Sequence, residues 1–300
     1  MDRYVYTRGS KDSGLLYTIL LYLVPTMVFV FIFQLLPIVT ALVYSFQKIN
    51  LMSGSRTFVG PRNYINAFRD LRFLGSVLTT LKYLLMRVPA QVLLGFLLAL
   101  LIATPRSWTS SLRTVILLPV ITSMVVVTSI LGLMMHPSNG LFNAIFQTLG
   151  LPALGFITDP GQALASIAFI TVWKNVGLSM LFFLAGLVAI PPVMYEAATI
   201  DGASRWQKLR FVTIPLLVKT FSFVILTTTI NAFQVFGPVL LMTNGGPANS
   251  TRVVVMDIYE NAFVFNQMGY ASAQSIILSL ILIAFSVVQL RARKNAEEGS

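Results

Sequence analysis

The 300-residue chain has no cysteine and one histidine, His136. Disulfides and thiolate metal sites are thereby excluded, and no metal set is expected. A lone histidine and a few loop acids cannot assemble a Ser-His-Asp or paired-carboxylate centre, so the chain does not read as an enzyme. Charge is equally scarce. Only 10% of residues are Asp, Glu, Lys or Arg, against about 25% in an ordinary soluble domain. That is too little polar side chain to cover a globule, which excludes a soluble enzyme and a disordered polymer alike. No G-x-x-x-x-G-K-[ST] loop is present, so this chain has no such cradle for ATP phosphates. Solenoid-type repeats, low-complexity tracts and a separate soluble domain are also missing.

What is abundant is apolar surface: 56% of residues, with a mean hydropathy of +0.80. Such a chain has lipid as its main solvent. Apolar segments near Leu15–Phe46, Ser76–Ala103, Thr114–Met135, Ala163–Ile190, Pro215–Met242 and Tyr270–Leu290 each approach or exceed the roughly 20 residues of one helical crossing. The expected fold is all-α: a polytopic membrane helix bundle of about six spans. Residues 1–14 read as an N-terminal tail, 15–290 as the membrane domain and 291–300 as a C-terminal tail. The first run, preceded by Arg3, Arg8 and Lys11, is too long for a signal h-region and reads as an uncleaved span. Its Pro25 and Pro37 predict a tilt or kink.

The net charge of +11 would point to nucleic acid in a soluble chain. Here the basic residues mostly flank apolar runs and act as an orientation signal, so no nucleic acid partner is expected. Eleven fall on one side: Arg3, Arg8, Lys11, Arg106, Arg113, Arg205, Lys208, Arg210, Arg291, Arg293 and Lys294. Six fall on the other: Lys48, Arg56, Arg62, Arg69, Arg72 and Arg252. The bias puts both termini in the cytoplasm.

All ten acids (Asp2, Asp12, Asp70, Asp159, Glu196, Asp201, Asp257, Glu260, Glu297 and Glu298) are expected outside the spans. A proton-coupled carrier ordinarily needs an ionisable residue within the membrane. Lys82, Arg87 and Lys174 lie in or near spans without an intramembrane acid. They are expected to snorkel to the interface, or else to face an aqueous path that favours an anionic solute. Gly95, Ala99 and Ala103, four apart, form a small-residue stripe for close helix packing.

The most informative segment follows the fourth span, at 191–214. Pro191 and Pro192 suit the first turn of a new helix, Gly202 suits its left-handed close, and Ser204 with Gln207 forms a capping-box pattern that opens a second helix. The result is a polar helix–turn–helix whose Ala197, Ala198, Gly202 and Ala203 offer a low-relief surface.

The run Glu196-Ala197-Ala198…Asp201-Gly202-Ala203…Ile214-Pro215 resembles the EAA motif of bacterial ABC importer permeases. Pro25…Pro37…Ser45-Phe46 looks like the first span of the sugar-type members, and Phe58-Val59-Gly60…Asn63-Tyr64 resembles their F-x-G-x-x-N-Y loop. Trp173 sits where the family often has tryptophan. Thr243-Asn244-Gly245-Gly246-Pro247 resembles the T-x-G-G-P outer loop of the maltose-first-permease and glycerol-phosphate type. Leu209 departs from the pattern, which usually has phenylalanine there.

The resemblance implies the type I importer permease fold in the bacterial inner membrane. It implies a second permease subunit, an ABC ATPase dimer that holds the ATP and magnesium (no cofactor in this chain), and an extracellular solute-binding protein delivering a sugar or oligosaccharide. Glu196, Ala197, Ala198, Asp201, Gly202 and Ala203 would couple to the ATPase, and Gly245, Gly246 and Pro247 would face the binding protein. For the substrate path, span five offers Thr227, Asn231, Gln234 and Pro238 on one helical face, and span four offers Trp173, Lys174, Asn175 and Ser179. These residues supply the donors, acceptors and aromatic face a sugar needs. They equally suit interhelical hydrogen bonding. The rival readings are a secondary, ion-coupled carrier and a structural membrane protein. The span acids missing from the first and the coupling loop unexplained by the second favour the importer.

Overall fold

The computed structural model describes residues 11–49, 54–104 and 106–298, with side chains over 21–291 within those limits. The predicted tail charges Asp2, Arg3 and Arg8 lie outside the described residues, as do the side chains of Lys11, Asp12, Arg293, Lys294, Glu297 and Glu298.

The chain is built almost wholly of helices. Helix α1 (Lys11–Val30) runs through a π turn at Phe31–Leu35 into α2 (Leu36–Ser45). Pro25 is absorbed without a break, and Pro37 lies just after the π turn within continuous helical backbone. A short hairpin, β1 (Gln47–Ile49) and β2 (Arg56–Phe58), pairs Gln47 with Phe58. Next come α3 (Arg62–Arg69) and the long α4 (Leu71–Ala103), whose first turn is capped by the Asp70 carboxylate accepting from the Arg72 N–H. Then follow α5 (Thr109–Ile121), α6 (Met124–Met134), α7 (Leu141–Thr148), α8 (Ala163–Val188), α9 (Pro192–Ile200), α10 (Arg205–Lys208), α11 (Ile214–Leu216) and α12 (Val218–Phe233). The last elements are α13 (Gly237–Met242), α14 (Val254–Tyr259) and α15 (Met268–Glu298), which continues past Leu290 as unbroken helix.

Among the described residues, four helices are long and apolar enough to cross a membrane, and two bent pairs bring the number to six if each pair is one span. The third span is therefore not the single helix expected over Thr114–Met135. It is α5 and α6 set at 98°. Pro119 lacks the N–H that would continue the ladder, and the chain leaves the helical region at Thr122 and Ser123. The fifth span also differs. A second bend of 65° separates Arg205–Leu216 from Val218–Phe233, and α12 ends at Phe233 rather than reaching Met242. Pro238 consequently belongs to another helix, α13, where it is buried.

The core lies where α4, α8 and α12 meet, with α4 against α8 the largest interface. Phe96 of α4, Phe183 of α8 and Phe221 of α12 form one aromatic cluster, with ring centroids 4.7–5.5 Å apart. The small-residue stripe works as expected at two of its three positions. Ala99 is buried, and a Cβ on Gly95 would lie 2.7 Å from the Ser179 Cβ. Ala103, at the helix end, is exposed and takes no part. Helix α2 packs its C-terminal part against α15, while the apolar side chains from Leu21 to Val43 remain largely exposed, a surface suited to lipid or to another helix.

Candidate functional site: the loop between α8 and α12 and the polar interior

The loop between α8 and α12 takes the shape its sequence dictates. Pro191 and Pro192 open α9, and Gly202, at φ +76°, closes it. The Ala203 N–H donates to the Ala198 carbonyl at 2.9 Å and the Gly202 N–H to the Thr199 carbonyl at 3.0 Å, a Schellman close. Ser204 and Gln207 make the reciprocal capping box of α10. Tyr195 Oη meets Thr213 Oγ1 at 3.1 Å, and Lys208 Nζ donates to Thr199 Oγ1 at 2.7 Å, so the two short helices are tied together. Leu209 packs, half-buried, against the core.

Glu196, Ala197, Asp201 and Gly202 are exposed, and Ala198 and Ala203 are half-buried. Around them Val193, Met194, Ile200, Trp206 and Phe211 are all exposed. Exposed apolar side chains on a loop with this many polar groups are suited to contact with a partner.

The proposed path residues divide. Asn231 and Gln234 are exposed and Thr227 is half-exposed. Trp173 is 44% exposed, and Asn175 is half-buried, its Nδ2 donating to the Thr171 carbonyl at 2.8 Å. Lys174 turns inward at 7% exposure, and its Nζ donates to the carbonyls of Pro119 and Val120 at 3.3 and 3.2 Å. Snorkelling is thus corrected for Lys174 and also for Arg87, which is 5% exposed. Both find carbonyls at helix ends inside the bundle, a shorter route than the interface. Lys82 remains exposed.

Arg87 anchors a polar network that the sequence did not reveal. Its Nε donates to Gln91 Oε1 at 3.3 Å, and its Nη1 to the Asn231 carbonyl at 3.2 Å and Tyr83 Oη at 3.5 Å. Tyr83 Oη pairs with Thr171 Oγ1 at 2.8 Å, and Gln91 Nε2 donates to Ser179 Oγ at 3.0 Å. The i, i+4 spacing of Tyr83, Arg87 and Gln91 was the available signal. It draws α4, α8 and α12 together at one level.

The profile of the family described as "Binding-protein-dependent transport system inner membrane component" matches residues 64–295. The chain belongs to that family.

Among relatives of this permease, the probable ABC transporter permease protein YurN of Bacillus subtilis is 32% identical, the match covering 93% of this chain and 96% of YurN. The trehalose/maltose transport system permease protein MalF of Thermococcus litoralis is 30% identical, over 90% and 92% of the two chains. In structure, the permease resembles a chain from a bacterial ABC transporter that imports the acidic polysaccharide alginate. The TM-score is 0.83 and the identity 23%, with 95% of this chain and 96% of that one covered.

A second polar cluster of the permease holds charges that composition alone read as orientation signals. Asp257, fully buried, is bridged by Arg252 Nε at 2.9 Å and Arg72 Nε at 3.1 Å. Both guanidinium groups also bind Glu260, and Asn261 and Gln274 satisfy the second Asp257 oxygen at 3.1 and 2.9 Å. Arg72 and Arg252 are therefore fold-holding partners of acids as well as flanking charges. The cluster backs the loop with Gly245, Gly246 and Pro247: Thr251 Oγ1 donates to the Gly246 carbonyl at 2.7 Å and meets Thr243 Oγ1 at 2.7 Å. The Gly246–Pro247 bond is cis. In the F-x-G-x-x-N-Y segment, Asn63 Nδ2 donates to the carbonyls of Ser45 and Gln47 at 2.8 and 3.0 Å. Tyr64 Oη lies 2.6 Å from Ser45 Oγ. That motif clamps the end of α2 to α3. His136 likewise serves its own turn, its Nδ1 accepting from the N–H groups of Ser138 and Asn139 at 3.4 Å.

Proposed function

We propose that this permease forms half of the translocation path of an ATP-driven importer for a sugar or sugar-like solute. The other half comes from a second permease subunit, and an extracellular binding protein delivers the solute. ATP and magnesium belong to a separate ATPase dimer, and the chain itself performs no hydrolysis. The observation that carries this reading is the cytoplasmic helix–turn–helix: a capped, hydrogen-bonded unit ringed by five exposed large apolar side chains. An ion-coupled carrier has no use for such a surface.

ATPase closure would act on Glu196, Ala197, Ala198, Asp201, Gly202 and Ala203, and through the bends flanking the loop on α8 and α12. Family relatives named for trehalose/maltose and for alginate support a saccharide substrate. Trp173, Asn175, Thr227, Asn231 and Gln234 would line the path. Gly245, Gly246 and Pro247 would face the binding protein. An even number of crossings places both termini on one side, and the positive bias makes that side the cytoplasm.

The test is Gly202→Asp in the reconstituted importer. An added Cβ meets nothing within 4 Å, so the substitution leaves packing intact. It strains the turn and adds charge to the docking surface. Membrane insertion should be unchanged and binding-protein stimulation of ATP hydrolysis lost. Retained stimulation would overturn the coupling role of the loop.

A further inference from the structure

Among the described residues, every salt bridge belongs to the cluster of Arg72, Arg252, Asp257 and Glu260. Arg87 and Lys174, inside the bundle, have no carboxylate partner. Each is instead seated on the C-terminal carbonyls of a helix that stops short of a full crossing. Lys174 takes the Pro119 and Val120 carbonyls where α5 ends, and Arg87 takes the Asn231 carbonyl in the last turn of α12. Such carbonyls lack the i+4 N–H of a continuing helix, Pro119 taking only a 3.3 Å bond from the Thr122 N–H, and together they carry about half a negative charge. A helix end therefore steadies a cation without neutralising it. A charge held this way inside a membrane protein is costly, and it points to a site.

The two cations differ in what they have left. Lys174 sits where α5 and α8 touch most closely, beside Gly177, whose added Cβ would lie 2.6 Å from the Ile116 carbonyl oxygen. Its ammonium serves the break in the third span. Arg87 uses Nε and Nη1 on the protein, while its Nη2 has no protein partner and is not sealed from solvent. The residue on whose carbonyl it rests, Asn231, has an exposed side chain, as does Gln234 one turn on. A rigidly held guanidinium edge with free donors matches the oxyanion of a carboxylate or phosphate.

We propose that Arg87 is a specificity-determining residue that recognises an oxyanion on the transported saccharide, so that the natural solute is acidic or phosphorylated. This rests on the importer reading above. The family leaves the matter open, since relatives are named both for neutral disaccharides and for an acidic polysaccharide.

The test uses the complete importer with its binding protein in proteoliposomes. The probes are uronate oligosaccharides, glycerol 3-phosphate, trehalose and maltotriose. The wild type is expected to transport a charged probe; uronate against phosphate uptake tells which oxyanion is read. For that probe, Arg87→Gln should raise KM about 10- to 100-fold, the worth of a charge-assisted pair. Arg87→Lys keeps the charge without the fork and should fall between. Lys174→Met should leave the ratio of KM values for charged and neutral probes unchanged. Transport of neutral probes only would overturn the proposal and leave the importer reading standing. So would a wild-type KM for the charged probe in Arg87→Gln or, if that variant fails to assemble, in Arg87→Lys. A wild type that transports no probe and shows no stimulated ATP hydrolysis would count against the importer reading itself.

Discussion

Adding one methyl group at Gly95 should be enough to loosen the bundle. The Cβ of alanine there would lie 2.7 Å from the Ser179 Cβ and 3.3 Å from both the Met180 nitrogen and the Ser179 carbonyl carbon. Carbon atoms rest at about 3.5–4.0 Å. None of these atoms is the free end of a flexible chain, so α4 and α8 must part by roughly an ångström. A contact this close to backbone-bound atoms falls in the upper part of the overpacking range, about 2–3 kcal/mol, and alanine returns about 1 kcal/mol through its better helix propensity. The net expectation is a loss of about 1–2 kcal/mol, with the Gln91–Ser179 hydrogen bond of 3.0 Å the first contact to open. Unfolding of the purified permease in detergent, followed by tryptophan fluorescence against denaturant, measures the loss. The double variant Gly95→Ala, Ser179→Gly removes the clashing Cβ and should be more stable than the sum of its parts by about 1 kcal/mol. A Gly95→Ala protein as stable as wild type, or strictly additive single variants, would refute the close-approach reasoning.

Other consequences follow from the same geometry. Arg252→Met leaves Asp257 and Glu260 to Arg72 alone and should cost about 3 kcal/mol, read as a lower thermal midpoint of the purified protein. Ser204→Ala removes the capping box of α10 and should cost about 1 kcal/mol locally, seen as faster amide exchange over residues 204–208 with exchange in α8 unchanged. Lys174→Met uncovers the Pro119 and Val120 carbonyls and should cost about 2 kcal/mol. Uptake of charged and neutral solutes should fall together, and a selective fall for charged solutes would place Lys174 in the path.

Much of the loop between α8 and α12 was legible because its determinants are local. Two prolines, a glycine that must take positive φ, and a serine with a glutamine three residues on act within one or two turns, and each appears as read. The spans were legible as apolar runs, but their breaks were not. Pro25, Pro89 and Pro119 all lie inside apolar helices, yet only Pro119 lies beside a sharp break. A proline frees a carbonyl, and whether the helix kinks depends on what arrives to satisfy it. Beyond Pro119 α5 stops, and its last carbonyls, of Pro119 and Val120, receive Lys174 from 55 and 54 residues away.

Composition and local pattern by themselves determined the solvent of this protein, the number of apolar runs and the shape of the loop between α8 and α12. Only the tertiary structure decided which polar residues look outward and where the interior charges rest. Asn231 and Gln234 share the exposed face while Pro238 leaves it, because α12 stops at Phe233. Arg87 stays within the bundle because a carbonyl 144 residues distant is left without a donor. A buried charge goes to the nearest unsatisfied acceptor, and in a membrane that acceptor is made by the end of another helix.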